Sequence, residues 1–294
     1  MSGRALRASL GRARRPTGRR FTVTARIGIV LGTVATASAI IGPFFSPYAP
    51  DEILGAPYAS PSSSHLLGLD FVGRDVLSRF LWGGRTSLAL ALLGTALGYA
   101  LGLAIGLFAA YVRGWLDELT MRATDVALAF PALVLVLLLV SAFGSNVRLV
   151  VIAIAVANAP RIARIVRAAS LEVVDLLYVE AARARGERSV YIVAREILPN
   201  IRAPLFVDFG LRFTGSILLV AAVSFLGFGL QPPAADWGVM VGENRIGLTL
   251  QPWPVLMPVI ALALLTIGIN LVIDGYGRPR GFSYEKEEKL APIR

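Results

Sequence analysis

The stretch that decides the fold is residues 86–112, TSLALALLGTALGYALGLAIGLFAAYV, which runs from Thr86 to Val112 without one charged side chain. A hydrocarbon core of about 30 Å takes roughly 20 helical residues to cross. Backbone amides in lipid have no water to bond, so a crossing run must be helical. Four more uncharged runs are long enough to span: Ile27 to Pro50, Val126 to Val147, Phe213 to Ala235 and Ile246 to Ile273. A sixth stretch, Leu149 to Pro160, is shorter and continues through Arg161, Arg164 and Arg167 at helical spacing. Long arginine stems of this kind can snorkel to an interface.

Composition agrees with the runs. Of 294 residues 55% are hydrophobic and 16% charged, well below the roughly 25% charged residues of soluble domains. There is no Cys and one His. Disulfide frameworks, thiolate nucleophiles, Cys-type zinc sites and His-pair metal sites are therefore excluded, and no metal or catalytic residue is expected.

The formal charge of +10 takes its meaning from position. Six spans place most Lys and Arg on one side; leaving out the fourth moves the C-terminal charges across and worsens the bias. The positive-inside rule thus favours six spans with both termini cytoplasmic. The expected division is a basic N-terminal segment at 1–26, a transmembrane domain at 27–273 and a cytoplasmic tail at 274–294. Spans are expected at 27–45, 87–111, 122–143, 147–168, 204–227 and 253–273, with an extracytoplasmic loop at 46–86 and a cytoplasmic loop at 169–203. The N-terminal arginines, Arg4 to Arg20 without an acid among them, read as an orientation signal or an anionic-lipid contact rather than a nucleic-acid arm. No nucleic-acid partner is expected, and the partner implied directly is membrane lipid.

Within the second span Gly94, Gly98, Gly102 and Gly106 recur every four residues, forming a small-residue stripe suited to close helix packing. Pro131, Pro254 and Pro258 are candidates to bend their helices. In the long outer loop, His65 and the carboxylates Asp70 and Asp75 stand near Arg74 and Arg79. With no nucleophile or metal-ligand set beside them, they read as a salt-bridge and capping network. Asp125, Asp208 and Arg212 lie at span ends and read as structural pairs, while Asn270 is polar at depth and needs a partner.

The loop at 169–203 has the grammar of two short helices. The first is capped at Ser170 or Asp175 and stopped at Gly186; the second starts at Ser189, and Pro199 interrupts the chain before the next span. Ala181 and Ala182 are small enough for a partner surface to come close. The amphipathic piece suits either a bilayer surface or a protein partner.

Glu180, Ala181, Ala182, Gly186, Leu198 and Pro199 resemble the EAA loop of bacterial ABC importer permeases. One position departs from that pattern, with Glu196 where a hydrophobic residue is usual. The outer blocks extend the resemblance: Gly68, Asp70, Gly73, Arg74 and Asp75, then Ser224, Gly227, Gln231, Pro232, Pro233, Trp237 and Gly238. Together they resemble the C-type permease of dipeptide, oligopeptide and nickel importers. Leu219 and Val220 stand where many relatives carry a Thr-Glu pair, which weakens any transfer of substrate detail.

The resemblance implies an all-α integral membrane protein with a type I ABC importer permease (MetI-like) fold, in a bacterial inner membrane. It implies a B-type sister permease, two cytoplasmic ABC ATPases seated on the EAA loop and an extracytoplasmic solute-binding protein. ATP and Mg are expected on the ATPases and no cofactor on this chain, which lacks a GxxxxGK[ST] phosphate loop. Peptide is the expected cargo, with nickel, opines or another small solute as alternatives. A secondary transporter would need intramembrane acids or broken-helix ion sites, and the spans are nearly free of acids. An intramembrane enzyme would need a catalytic constellation that this composition does not supply.

Overall fold

The computed structural model describes residues 23–277; the arginines from Arg4 to Arg20 and most of the 274–294 tail lie outside the described residues. Ten α-helices follow in order: α1 (Val23–Ile41), α2 (Val76–Val112), α3 (Gly114–Leu128), α4 (Ala132–Phe143), α5 (Val147–Val174), α6 (Leu177–Ala184), α7 (Ser189–Ile192), α8 (Leu198–Phe225), α9 (Trp237–Asn244) and α10 (Trp253–Gly277). Five helical stretches are long and apolar enough to cross a membrane, and α3 with α4 makes a sixth if the pair is one span.

The central pair is α2 and α5, and the glycine stripe is what joins them. A Cβ added at Gly94 would lie 2.7 Å from Ile154 Cγ2, at Gly98 3.2 Å from Asn158 Cβ, at Gly102 2.6 Å from Ile162 Cβ and at Gly106 2.7 Å from Val166 Cβ. Both partners advance four residues at a time, so the helices run parallel in one fixed register, with backbones as close as missing side chains permit. Gly28, Gly32 and Gly268 bring α1 against α10 in the same way: a Cβ on Gly268 would meet the Gly32 nitrogen at 2.5 Å.

Several boundaries differ from the sequence expectation. The helix that carries the second span begins at Val76, ahead of the span expected from 87, because Asp75 caps α2 by accepting from the Ser78 amide at 2.8 Å. Arg79, within the loop expected at 46–86, is helical and, as expected of a salt-bridge network, paired; it is fully buried. The span expected at 122–143 is two helices bent by 85°. Pro131 is the cause: it cannot donate to a preceding carbonyl and drives Phe130 out of helical geometry, so it starts α4 instead of continuing α3.

Pro199 does not interrupt the chain. Residues Ser189–Phe225 form one helical stretch, with a π-helical turn at Val193–Ile197 immediately before the proline. That wider turn absorbs the missing amide and the ring's pressure on the carbonyl four residues back. Asn200 then donates its side-chain amide to the Glu196 carbonyl at 2.6 Å. Pro254 likewise sits in the first turn of α10, where no amide donor is required. Ser170 is not a cap; it is buried inside α5, and Asp175 ends α5 instead of starting α6.

Candidate functional site

At one end of the bundle, α6 and α7 stand on an apolar base. Val179, Ala182, Ile192, Ile197 and Ile201 are buried together with Val166, Val173 and Val174 of α5 and Tyr99 of α2. This anchors the loop to the ends of three long helices. Ala182, expected beside Ala181 on the partner-facing side, is fully buried against the chain's own core. The helical phase that turns Val179 and Ala182 inward leaves Glu180 and Ala181 outward. Leu177, 82% exposed, and Val190, 80% exposed, stand out on the same surface.

Gly186 follows α6 with φ +76°, and a Cβ there would touch nothing within 4 Å. Its role is conformational: the left-handed turn satisfies terminal carbonyls, with the Gly186 amide on Arg183 at 2.9 Å and the Glu187 amide on Ala182 at 3.3 Å. Leu198 and Pro199 sit at the start of α8, behind the π turn. Arg113 ties the loop's origin to α2 by donating from Nη2 to both Asp175 oxygens at 2.8 Å. That guanidinium holds the Asp175 carboxyl below its ordinary pKa. Arg164 and Arg167 have acidic partners within the chain. They pair with Asp125 and Asp117 of α3, the latter at 2.6 Å through both nitrogens.

At the opposite end the two outer motif blocks meet. Asp70 accepts from the Arg74 amide and Nε, both at 2.9 Å, and from Arg79 Nη1 at 2.6 Å. Glu243 of α9 completes the cluster, accepting from Arg79 at 2.9 Å and from Arg74 at 3.2 Å. Burial pushes the Asp70 carboxyl up, but the Arg74 amide and the Arg79 guanidinium outweigh it and leave its pKa lowered. His65 approaches Asp75 at 3.2 Å. Gly68 and Gly73 take positive φ, +72° and +93°, to fold this loop tightly.

Trp237 is fully buried, stacks on Phe80 at 5.6 Å and donates Nε1 to the Phe80 carbonyl at 3.0 Å. Asp236 caps α9 through the Gly238 and Val239 amides and accepts from Ser87 at 2.6 Å. Burial pushes its carboxyl up, against those hydrogen bonds. Gly238 packs on the Ala221 backbone and Ser224, Gly227 takes φ +82°, and Gln231 donates back to the Gly227 carbonyl at 3.0 Å. The Pro232–Pro233 bond is cis.

Between the two ends, polar side chains cross the apolar core. Thr95 of α2 donates to Ser216 of α8 at 2.8 Å, and Asn158 of α5 donates to the same hydroxyl at 2.9 Å. One turn along α2 from Thr95, the Tyr99 hydroxyl donates to Asp208 at 2.6 Å, and Arg212 Nε donates to the same carboxylate at 3.0 Å. Ser87 and the Thr95–Asn158–Ser216 set escaped the sequence reading, since a single hydroxyl or amide in an apolar run carries no spacing signal, and Asp236 and Glu243 escaped it because their partners Ser87 and Arg79 lie 149 and 164 residues away. Among the described residues no group of His, Cys, Asp and Glu is arranged to hold a metal ion.

Residues 102–278 match the family model for the binding-protein-dependent transport system inner membrane component. The chain belongs to this family. The permease is 40% identical over 215 residues to the glutathione transport system permease protein GsiD of Pectobacterium atrosepticum, covering 73% of this chain and 71% of the relative. It is 39% identical over 251 residues to a putative peptide transport system permease protein of Brucella suis biovar 1, covering 85% and 84%. Among solved structures, an inward-facing MetNI methionine ABC transporter aligns with TM-score 0.53 at 20% identity, over 68% of this chain and 97% of that one. At this identity the likeness shows a shared MetI-like fold. The protein is therefore a multi-pass inner-membrane permease subunit of an ABC importer.

Proposed function

We propose that this permease forms half of the translocation pathway of a peptide importer, both termini cytoplasmic, and that α6 transmits the ATPase cycle to the membrane helices. The observation that carries the coupling role is the contrast within α6. Val179 and Ala182 are sunk in the core shared by α2, α5 and α8, while Glu180, Ala181 and the 82% exposed Leu177 face outward. A force applied to the outer face reaches three long helices through packed side chains, which favours rigid-body movement over local bending. The loop biases an equilibrium between inward- and outward-facing states and performs no chemistry.

The partners are a B-type sister permease, two ATPases carrying ATP and Mg, and a solute-binding protein outside. Peptide cargo is supported by the printed names of relatives at 39–40% identity. The absence of native cysteine makes a clean test available. Glu180→Cys, in the assembled complex, is expected to cross-link to an ATPase subunit carrying one introduced cysteine, with a yield that changes when nucleotide is added. Purification of the tagged chain without ATPase or second permease, together with no cross-link, would refute the assignment.

A further inference from the structure

We propose that Arg212 is a carboxylate-recognition site inside the translocation pathway, positioned by Asp208 and Tyr99; this rests on the peptide-importer reading above. Depth is the first argument. Thr95 lies midway along α2, and its contact with Ser216 and Asn158 marks the same level on α8 and α5. Arg212 is one turn, about 6 Å, from that level and stands midway along α8, a helix long enough to cross the membrane, rather than at the span end where the uncharged run had set it. A cation at such depth is costly against lipid and is found facing the bundle interior or a water-filled route.

The second argument is how the guanidinium is used. Asp208 takes only Nε, at 3.0 Å, and its other oxygen is held by Tyr99 at 2.6 Å. Nη1 and Nη2 of Arg212 have no hydrogen-bond partner among the described residues, and the side chain is 24% exposed. The end-on edge of the guanidinium, the two-pronged donor that matches a carboxylate, therefore remains available. Next to Arg212 on α8, Leu211 is exposed and a Cβ on Gly215 would touch nothing within 4 Å.

The third argument is charge. Arg161 of α5 stands one turn to the same side of the Asn158 contact, its Nη1 on the Ala157 carbonyl. Within about one turn of the Asn158–Ser216 contact the charged residues of α5 and α8 are Arg161 and Arg212, with Asp208 reaching Arg212 from one turn further on; Arg164, the next arginine along α5, is paired with Asp125. The excess is positive, which fits the C-terminal carboxylate of a passing peptide.

The test uses the full importer, with sister permease, ATPases and binding protein, reconstituted in liposomes. Uptake of a tripeptide with neutral side chains is compared with uptake of its C-terminal amide. Because the binding protein is unchanged between variants, its own discrimination cancels. Arg212→Gln is expected to lower the acid-to-amide uptake ratio about tenfold, the scale of a lost charge-assisted pair. Arg212→Lys, which keeps charge without the fork, is expected to give a smaller drop and carries the test if the glutamine variant does not assemble. An unchanged ratio in a variant that transports overturns the proposal. So does loss of the sister permease from a folded Arg212→Gln chain, which would assign the arginine to subunit pairing. Absence of uptake of both peptides by the wild-type complex would overturn the peptide reading and this site with it.

Discussion

Arg79 donates to Glu243 at 2.9 Å across 164 residues of sequence, locking the start of α2 to α9. Arg79 is wholly buried and also bound to Asp70, so removing one partner strands charge instead of deleting a contact. Glu243→Leu is expected to destabilise the permease by about 3–5 kcal/mol, read as a lowered thermal midpoint in detergent. Pairing it with Arg79→Met should recover a large part of that loss in a double-mutant cycle. Strict additivity of the two changes would mean the pair is not the lock described.

The pH dependence of that lock follows from Asp70. Its folded pKa is lowered from 3.8, so the native state binds fewer protons than the unfolded one. Its contribution is then fully present above that value and disappears as pH falls through the folded pKa. The thermal midpoint should hold near neutrality and fall in the acid range below about pH 4. Asp70→Asn is expected to lower the midpoint at pH 7 and to flatten the acid limb; an unaltered acid limb would count against the ion cluster as its origin.

Asp236 carries the opposite sign. Its carboxyl is fully buried and its pKa raised, so ionisation above the unfolded value of 3.8 works against the fold. Asp236→Asn keeps an oxygen for the Gly238 and Val239 amides and offers its amide nitrogen to Ser87. The asparagine variant is expected to melt at or above the wild-type temperature at pH 8, and a clear drop there would show that the charge itself is required.

The spans were legible because lipid imposes a rule on sequence: a crossing segment has to avoid unpaired charge. Where α2 outruns its uncharged run, two different reasons apply: the run stops at Arg85, which is helical but exposed, while Arg79, further back, is buried because Glu243, far along the chain, neutralises it. The orientation of Ala182 was missed because a loop motif gives residue identities without helical phase; only the packing of Val179 and Ile192 fixes which side turns in. Thr95, Asn158 and Ser216 are single polar side chains in three separate runs, and their convergence is a property of how α2, α5 and α8 assemble. The glycine stripe announced close packing, but its partner, every fourth residue of α5, could not be read from α2 alone.

That stripe sets the next expectation. A side chain at Gly102 would press on Ile162 Cβ at 2.6 Å and on the Ala159 carbonyl at 2.9 Å, neither of which can swing away as a flexible tip would. Gly102→Leu is expected to cost about 1–3 kcal/mol or more by overpacking, with reduced membrane yield and a lower thermal midpoint. At Gly215, where the same added atom meets open space, an alanine should be tolerated. Equal loss at both positions would argue against α2–α5 contact as the reason for the stripe.

Gly186 separates conformation from space, because its φ is +76° while its surroundings are empty. A β-branched residue there forces a left-handed backbone on a side chain that resists it, at a cost of roughly 1–2 kcal/mol, whereas asparagine tolerates that region. Since Gly186 is exposed and lies after α6, the strain is relieved by re-aiming the segment between α6 and α7, leaving the buried base of Val179 and Ile192 in place. Gly186→Val is therefore expected to yield a folded, assembled complex whose ATPases turn over while peptide uptake falls at least tenfold. Gly186→Asn should stay within about twofold of wild type, the residual strain being small. Simultaneous measurement of ATP hydrolysis and uptake on both variants decides the matter: full coupling in the valine variant would remove the left-handed turn from the mechanism, and equal failure of the two would point to contact with a partner surface instead of backbone geometry.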